Sequence, residues 1–393
     1  MTIGEFEIGH GRPGPAAAEI RVLGAIASPN LGDRVIGDCL AWLMRRHLPA
    51  ARVEAMDLVG GIGRPTPVTR FLCKIGPFGR RLAEDRIVGR LAETLSDTGL
   101  LVIGGGQLLL DTRMRFPTAI ARWVKAARRA RIPVAFCAIG VSDRLSEPGR
   151  AAFSKALSAD NVVHVSTRHA GGVDLMRRYF GNDIAARVSV GPDPAFWAAE
   201  VYAGSLGVRG SEIGLGPMDP DLLARRVDDA VLVSRPRMTA FWLEMIAACR
   251  RRHLPVHLFT NGAPRDAAYC RDIAAACPPP SVAAAVPATA TDLVRAISSF
   301  RAIVAHRLHA NIIAYALGVP AIGLAWDSKV AEFAADVGRS RFALAPQDYA
   351  PDRVVALLAE LDAAGGGPDI LATMKEASLA DVGTLLSRAG LLS

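Results

Sequence analysis

Short runs of aliphatic and β-branched residues alternate along most of the chain with amphipathic stretches of helical period, and this alternation predicts βα units building parallel sheets. In the first half the predicted strands are IRVLGAIA from Ile20, LLVIG from Leu100, PVAFCAIG from Pro133, VVHVS from Val162 and RVSVG from Arg187. The alternation lapses around residues 198–212, in the glycine-containing AAEVYAGSLGVRGS, which suits an interdomain link. It then resumes with EIGLG, AVLVS, PVHLFT, SVAAAV, RAIVA and AIGLAW. The fold class expected is α/β, with two Rossmann-like domains facing across a cleft. Residues 1–205 would form the first, with a flexible tail at 1–18, and residues 206–393 the second.

Composition narrows the function rather than the fold. A chain of 393 residues, 51% hydrophobic and 21% charged, has room for two or three cores and is not a disordered one. The net charge of +8, from 46 Lys and Arg against 38 Asp and Glu, suits phosphates, acidic sugars or an anionic membrane surface. It is too diffuse to imply nucleic acid. Part of it, such as Arg128, Arg129 and Arg131, or Arg250 to Arg252, falls near the ends of predicted helices, where it complements the dipole.

The six cysteines form no CxxC pair and no zinc spacing, so they read as thiols in a reducing compartment. The N-terminus lacks the basic start and apolar run of a secretory signal. The longest apolar stretch, Ala310 to Trp326, is broken by Gly318 and Pro320 and reads as helix, turn and strand. A cytoplasmic protein is expected.

Parallel strands gather their C-terminal ends, and the N-termini of the following helices, on one edge, so polar residues just after each strand are the candidates for a binding cleft. After the first strand come Asn30, Gly32 and Asp33, which read equally as a ligand-facing turn or a helix cap. Gly104, Gly105 and Gly106 form either a close approach for a ligand or a tight turn. Arg168 and His169 follow the fourth strand, and Asp193 between Pro192 and Pro194 follows the fifth, where it could simply shape a turn. In the second half Asn261 and Gly262 follow PVHLFT. His306, Arg307 and His309 occupy the loop and first helical turn after RAIVA, where unpaired N–H groups and the dipole favour an anion. Asp327 and Lys329 then follow AIGLAW.

Other matches are discounted. Gly9, Gly11 and Gly14 fit GxGxxG without a preceding strand, and Asp219-Pro220-Asp221 suits a helix start better than a metal pair. The sequence has no Walker A, GxSxG or HExxH pattern.

Taken in order, NLGD, VIGGG, PDPAF, LFTNG and RLHANIIAYALGVPAIGLAWDSKV resemble the polysaccharide pyruvyl transferase family over about residues 20 to 340. The resemblance implies a GT-B-like fold and transfer of the enolpyruvyl unit of phosphoenolpyruvate to a sugar as a ketal. One departure stands out: Arg168 is followed by His169 where the family often has aspartate, and the serine usual a few residues on is replaced within AGGVD.

The residues suit that chemistry. His309 is the candidate general acid or base, and Arg168 and Arg307 would grip carboxylate and phosphate through their planar forks. Lys329 adds a point charge, Asp33 and Asp193 would bind or deprotonate sugar hydroxyls, and Asn30, Gly104, Gly105, Gly106, Asn261 and His306 complete the expected substrate contacts. No metal or cofactor is expected, phosphoenolpyruvate being a co-substrate. The expected partners are that donor and a saccharide acceptor, free or lipid-linked, with peripheral contact at the inner membrane face allowed. A nucleotide-sugar glycosyltransferase and a non-catalytic glycan-binding relative are the alternatives. The first lacks a convincing ribose-binding carboxylate, and the retained Arg307 and His309 speak against the second.

Overall fold

The computed structural model describes residues 18–60, 66–111, 114–225, 227, 229–364 and 368–392. The glycines Gly9, Gly11 and Gly14 and the expected tail, apart from Ala18, lie outside the described residues.

Two six-stranded parallel sheets form the frame. The first has the order β2-β1-β3-β4-β5-β6, with β1 Glu19–Gly24, β2 Arg52–Asp57, β3 Leu100–Leu109, β4 Val134–Val141, β5 Val162–Thr167 and β6 Val188–Val190. The second has the order β12-β11-β10-β7-β8-β9, with β7 Ile213–Gly216, β8 Val256–Phe259, β9 Ala284–Ala285, β10 Ala302–Ala305, β11 Ala321–Leu324 and β12 Ala343–Leu344. The central strands read as unbroken apolar runs because helices cover both faces, and every residue of β4 and β10 is buried.

Departures from the predicted elements have local causes. AVLVS is a 3-10 turn, Ala230–Val233, because Asp229 caps it by accepting the Val231 N–H at 3.0 Å and a helix with an early proline begins at Arg235. The edge strand β2, RVEAMD, was hidden by its charges, and β12 is only two residues long. The expected bend at Gly104 to Gly106 is strand: β3 runs on to Leu109, with a register shift against β4 after Gly106. Gly105 (φ +75°) and Gly106 (φ +121°) hold backbone that other residues rarely adopt.

One helix crosses back over the expected division at 205/206. Helix Pro368–Arg388 packs not on the second sheet but back on the first, where Val382, Leu385 and Leu386 join Ile20, Val22, Leu40 and Met44. A buried polar cluster pins it there. Asp381 accepts hydrogen bonds from Ser166 Oγ (2.6 Å) and Ser189 Oγ (3.3 Å), pairs with His164 Nε2 (3.0 Å), and takes the Cys137 thiol at 3.6 Å. The lobes also share apolar contacts. Val35, Ile36 and Cys39 of α1 (Leu31–His47) pack with Phe259, Leu293 and Ile313 of the second lobe.

No helix among the described residues is long and apolar enough to cross a membrane.

Candidate functional site

The cleft between the lobes holds a cavity of about 740 Å³ whose lining includes Asn30, Asp33, Gly106, Arg168, Arg307, His309, Asp327 and Lys329. These come from five strand ends in two sheets, as parallel topology requires.

Several helices start at this edge. Asn30 is the N-cap position of α1, yet its side chain makes no cap bond and its buried Oδ1 has no partner among the described residues. Arg307 precedes helix Leu308–Ala316 and Asp327 precedes helix Ser328–Asp336, again without side-chain caps. The second-lobe helices thus open toward the cavity with first-turn N–H groups that their N-cap side chains leave unsatisfied, a setting that favours an anion.

His309 lies at the centre. It is 8% exposed, and its Nδ1 is 3.6 Å from Asp33 Oδ1 across the lobe boundary. Its Nε2 has no hydrogen-bond partner among the described residues. Burial, then the charges of Arg168, Lys329 and Arg307, push its pKa down to about 3, so the imidazole is neutral. Asp33 moves the other way: burial raises it to about 6, against smaller lowering by Ser28 and Arg307. A carboxyl that is partly protonated near neutrality therefore faces a neutral imidazole. Gly32 makes the approach possible, since a Cβ there would lie 2.5 Å from the Cβ of His309.

The cations are positioned from behind. Arg307 donates through Nε (2.8 Å) and Nη2 (2.7 Å) to Asp266 Oδ2, a carboxylate with no exposed side-chain surface in helix Pro264–Ala276. Arg168 is 9% exposed and lies 3.9 Å from Asp193 Oδ2, while Gly140 leaves room for its guanidinium. Lys329 Nζ donates to Asp327 Oδ2 at 2.9 Å.

The structure places several expected contacts elsewhere. His306 is fully buried between Trp242 and Tyr349, with ring centroids 5.5 and 5.8 Å away, and burial lowers its pKa to about 3. Asn261 sits at the lobe junction, its carbonyl accepting the Leu31 N–H at 2.7 Å. Asp193 caps the turn Pro194–Trp197 through the Ala195 N–H and backs Arg168. Gly104 is packed within the sheet, with the Cys137 carbonyl 2.8 Å from where a Cβ would sit, and Gly105 rests against Ile36. Asp219 and Asp221 are engaged by Arg235 and Arg265, and Asp219 caps helix Pro220–Leu223.

His169 explains its own substitution. It occupies the N-cap of helix Ala170–Phe180 and accepts the Gly172 N–H on Nδ1 at 3.2 Å, the task an aspartate would perform. Burial, then Arg168, lowers its pKa and keeps it neutral as an acceptor, with Nε2 3.4 Å from Glu332.

Sequence reasoning missed Asp266, and it missed Asp57, Gln107, Arg115 and Arg225, which also line the cavity. Asp57 ends the unrecognised strand β2. Asp266 sits in a helical first turn like many surface acids, and nothing in its sequence context distinguishes it.

Solved structures share the fold. UDP-GlcNAc 2-epimerase from Neisseria meningitidis, bound to UDP-GlcNAc, is 13% identical, with 94% of this chain and 100% of that chain covered and a TM-score of 0.56. A putative UDP-N-acetylglucosamine 2-epimerase from Listeria monocytogenes is 11% identical over 94% and 95%, with a TM-score of 0.57. The α,α-trehalose-phosphate synthase (UDP-forming) from Burkholderia vietnamiensis is 12% identical over 95% and 98%, at 0.52. Likeness at these identities speaks for the GT-B architecture alone. No curated protein matches the sequence. The model of the polysaccharide pyruvyl transferase family matches residues 30–328, a span that runs from the uncapped start of α1 to the first residue of the last cleft helix, and the chain belongs to that family.

Proposed function

We propose that the protein transfers the pyruvyl group of phosphoenolpyruvate to two hydroxyls of a saccharide as a ketal, releasing phosphate. The observation that supports this most is the neutral His309 facing a protonatable Asp33, ringed by Arg168, Arg307 and Lys329.

The donor carries a carboxylate and a phosphate, and the cations with the open helix starts supply a matching anion site. Reaction requires a proton at C3 so that C2 becomes electrophilic. Asp33 is the proton donor, since a carboxyl that titrates near 6 is partly protonated at neutral pH. One sugar hydroxyl adds to C2 and loses its proton to the bare Nε2 of His309. A second hydroxyl then replaces phosphate, its proton leaving with the phosphate beside Arg307 and Lys329. His309 returns a proton through Nδ1 to Asp33, so the pair ends as it began. Charge developing on the phosphate meets cations already in place, which is where electrostatic catalysis gains most.

Incubating the protein with phosphoenolpyruvate and a saccharide tests this reading: phosphate should appear only when both are present. Consumption of a UDP-sugar with no phosphoenolpyruvate requirement would replace it with glycosyl transfer.

A further inference from the structure

Among the described residues large apolar side chains are exposed at few places, and half of the most exposed fall within fifteen residues. Val68 (54% exposed), Phe71 (65%), Ile75 (56%), Phe78 (80%) and Leu82 (38%) lie on α2 (Pro67–Leu72), α3 (Pro77–Glu93) and the turn between them. Isolated exposed apolar residues are ordinary, but two phenylalanines and three aliphatics grouped on one helical hairpin are not.

The same segment is basic. Arg70, Lys74, Arg80, Arg81 and Arg86 are all exposed within it. Two of its acids are paired with α4 (Arg115–Arg129): Glu84 with Arg122 at 2.6 Å and the exposed Asp85 with Lys125 at 2.9 Å. Apolar side chains flanked by an excess of exposed lysine and arginine match a bilayer that is apolar inside and anionic at its surface. An ordinary protein partner would not require this excess of one charge.

Position strengthens the match. The pairs Glu84–Arg122 and Asp85–Lys125, with Gly89 beside Arg129, show α3 and α4 running parallel. That register sets Phe78 alongside the start of α4, where Arg115 and Phe116 line the cleft. The apolar face and the cleft mouth therefore stand on the same shoulder of the first lobe.

We propose that the α2–α3 face docks the protein on an anionic lipid bilayer, with Phe71 and Phe78 entering the interface and the basic residues meeting the headgroups. Such docking would present the cleft to a membrane-borne acceptor, though the binding itself does not depend on the pyruvyl reading and is measured without catalysis.

The full-length protein should sediment with phosphatidylglycerol vesicles at low salt, poorly with phosphatidylcholine vesicles, and less as salt is raised past the point where surface charges are screened. Phe71→Ser with Phe78→Ser should lower the vesicle partition at least about tenfold, because the apolar insertion is lost. Its unfolding midpoint and its turnover on soluble substrates should match the wild type. Arg80→Glu with Arg81→Glu, which leaves the phenylalanines in place, should abolish the preference for phosphatidylglycerol. Wild-type protein that stays in the supernatant with anionic vesicles would overturn the proposal, as would a double phenylalanine variant that sediments like the wild type. A wild-type dimer that becomes monomeric in that variant would instead assign the face to a second copy of the chain.

Discussion

Replacing Asp33 by asparagine should make the protein more stable and inactive, with a stabilisation that depends on pH in a defined way. In the folded protein burial raises the carboxyl from 3.8 to about 6, so ionising it costs more than in the unfolded chain. Below pH 3.8 both states hold the proton and the cost is absent. It grows as pH rises between 3.8 and 6, and it is complete above 6. That upward shift amounts to about 3 kcal/mol at pH 7.5, with about half of it already present at pH 5. Asparagine never ionises, so the stability gap between Asp33→Asn and the wild type should widen in favour of the variant by roughly half of that cost from pH 5 to pH 7.5. The low pKa of His309 is common to both proteins and cancels in the difference. Urea unfolding followed at several pH values measures it. A gap that stays flat, or shrinks as pH rises, would show that Asp33 is an ordinary carboxylate and remove it as a proton donor.

Substituting Arg168 or Arg307 by lysine keeps the charge and loses the fork, so phosphoenolpyruvate affinity measured by calorimetry should fall by about 1.5 to 3 kcal/mol in each. Only Arg307→Lys should also lower stability markedly, because it strips two donors from the buried Asp266; equal unfolding midpoints would contradict that. Gly32→Ala ought to gain about 1 kcal/mol as a helical residue, but its Cβ would meet His309 at 2.5 Å, an overpacking cost of about 1 to 3 kcal/mol. Stability should change little while turnover drops about a hundredfold through displaced geometry, and normal turnover would show that the lobes do not approach as described. Asp381→Ala leaves Ser166 and His164 buried without their acceptor and should cost about 3 kcal/mol or more, read from denaturant midpoints with donor affinity unchanged.

Long apolar strands announced themselves in the sequence because both faces are buried, which made the two sheets and the edge where they end legible. His309, Arg307, Arg168, Asp33 and Lys329 could be found by position alone, since each follows a strand. What stayed hidden depends on tertiary contact. Asp266 acts through Arg307 from a helix far along the chain, and Asp381 secures a helix that crosses back to the first lobe. His306 shows the reverse failure: it sits at the strand end like its neighbours, but its side chain turns toward Trp242 and Tyr349, an orientation that spacing does not encode. His169 reads in sequence as a lost aspartate, whereas in the fold it keeps the cap.

The central claim is that His309 serves a reaction in which phosphoenolpyruvate gives its pyruvyl group to a saccharide and releases phosphate. Phosphate release, measured alongside the mass of the saccharide for the wild type and for His309→Ala, tests it most directly. The wild type should release one phosphate for each pyruvyl ketal gained by the sugar, and the variant, folded as stably, should do both at least about a hundredfold more slowly. Phosphate release at the wild-type rate in His309→Ala, or a saccharide that gains no pyruvyl group in the presence of wild-type protein, would contradict the account.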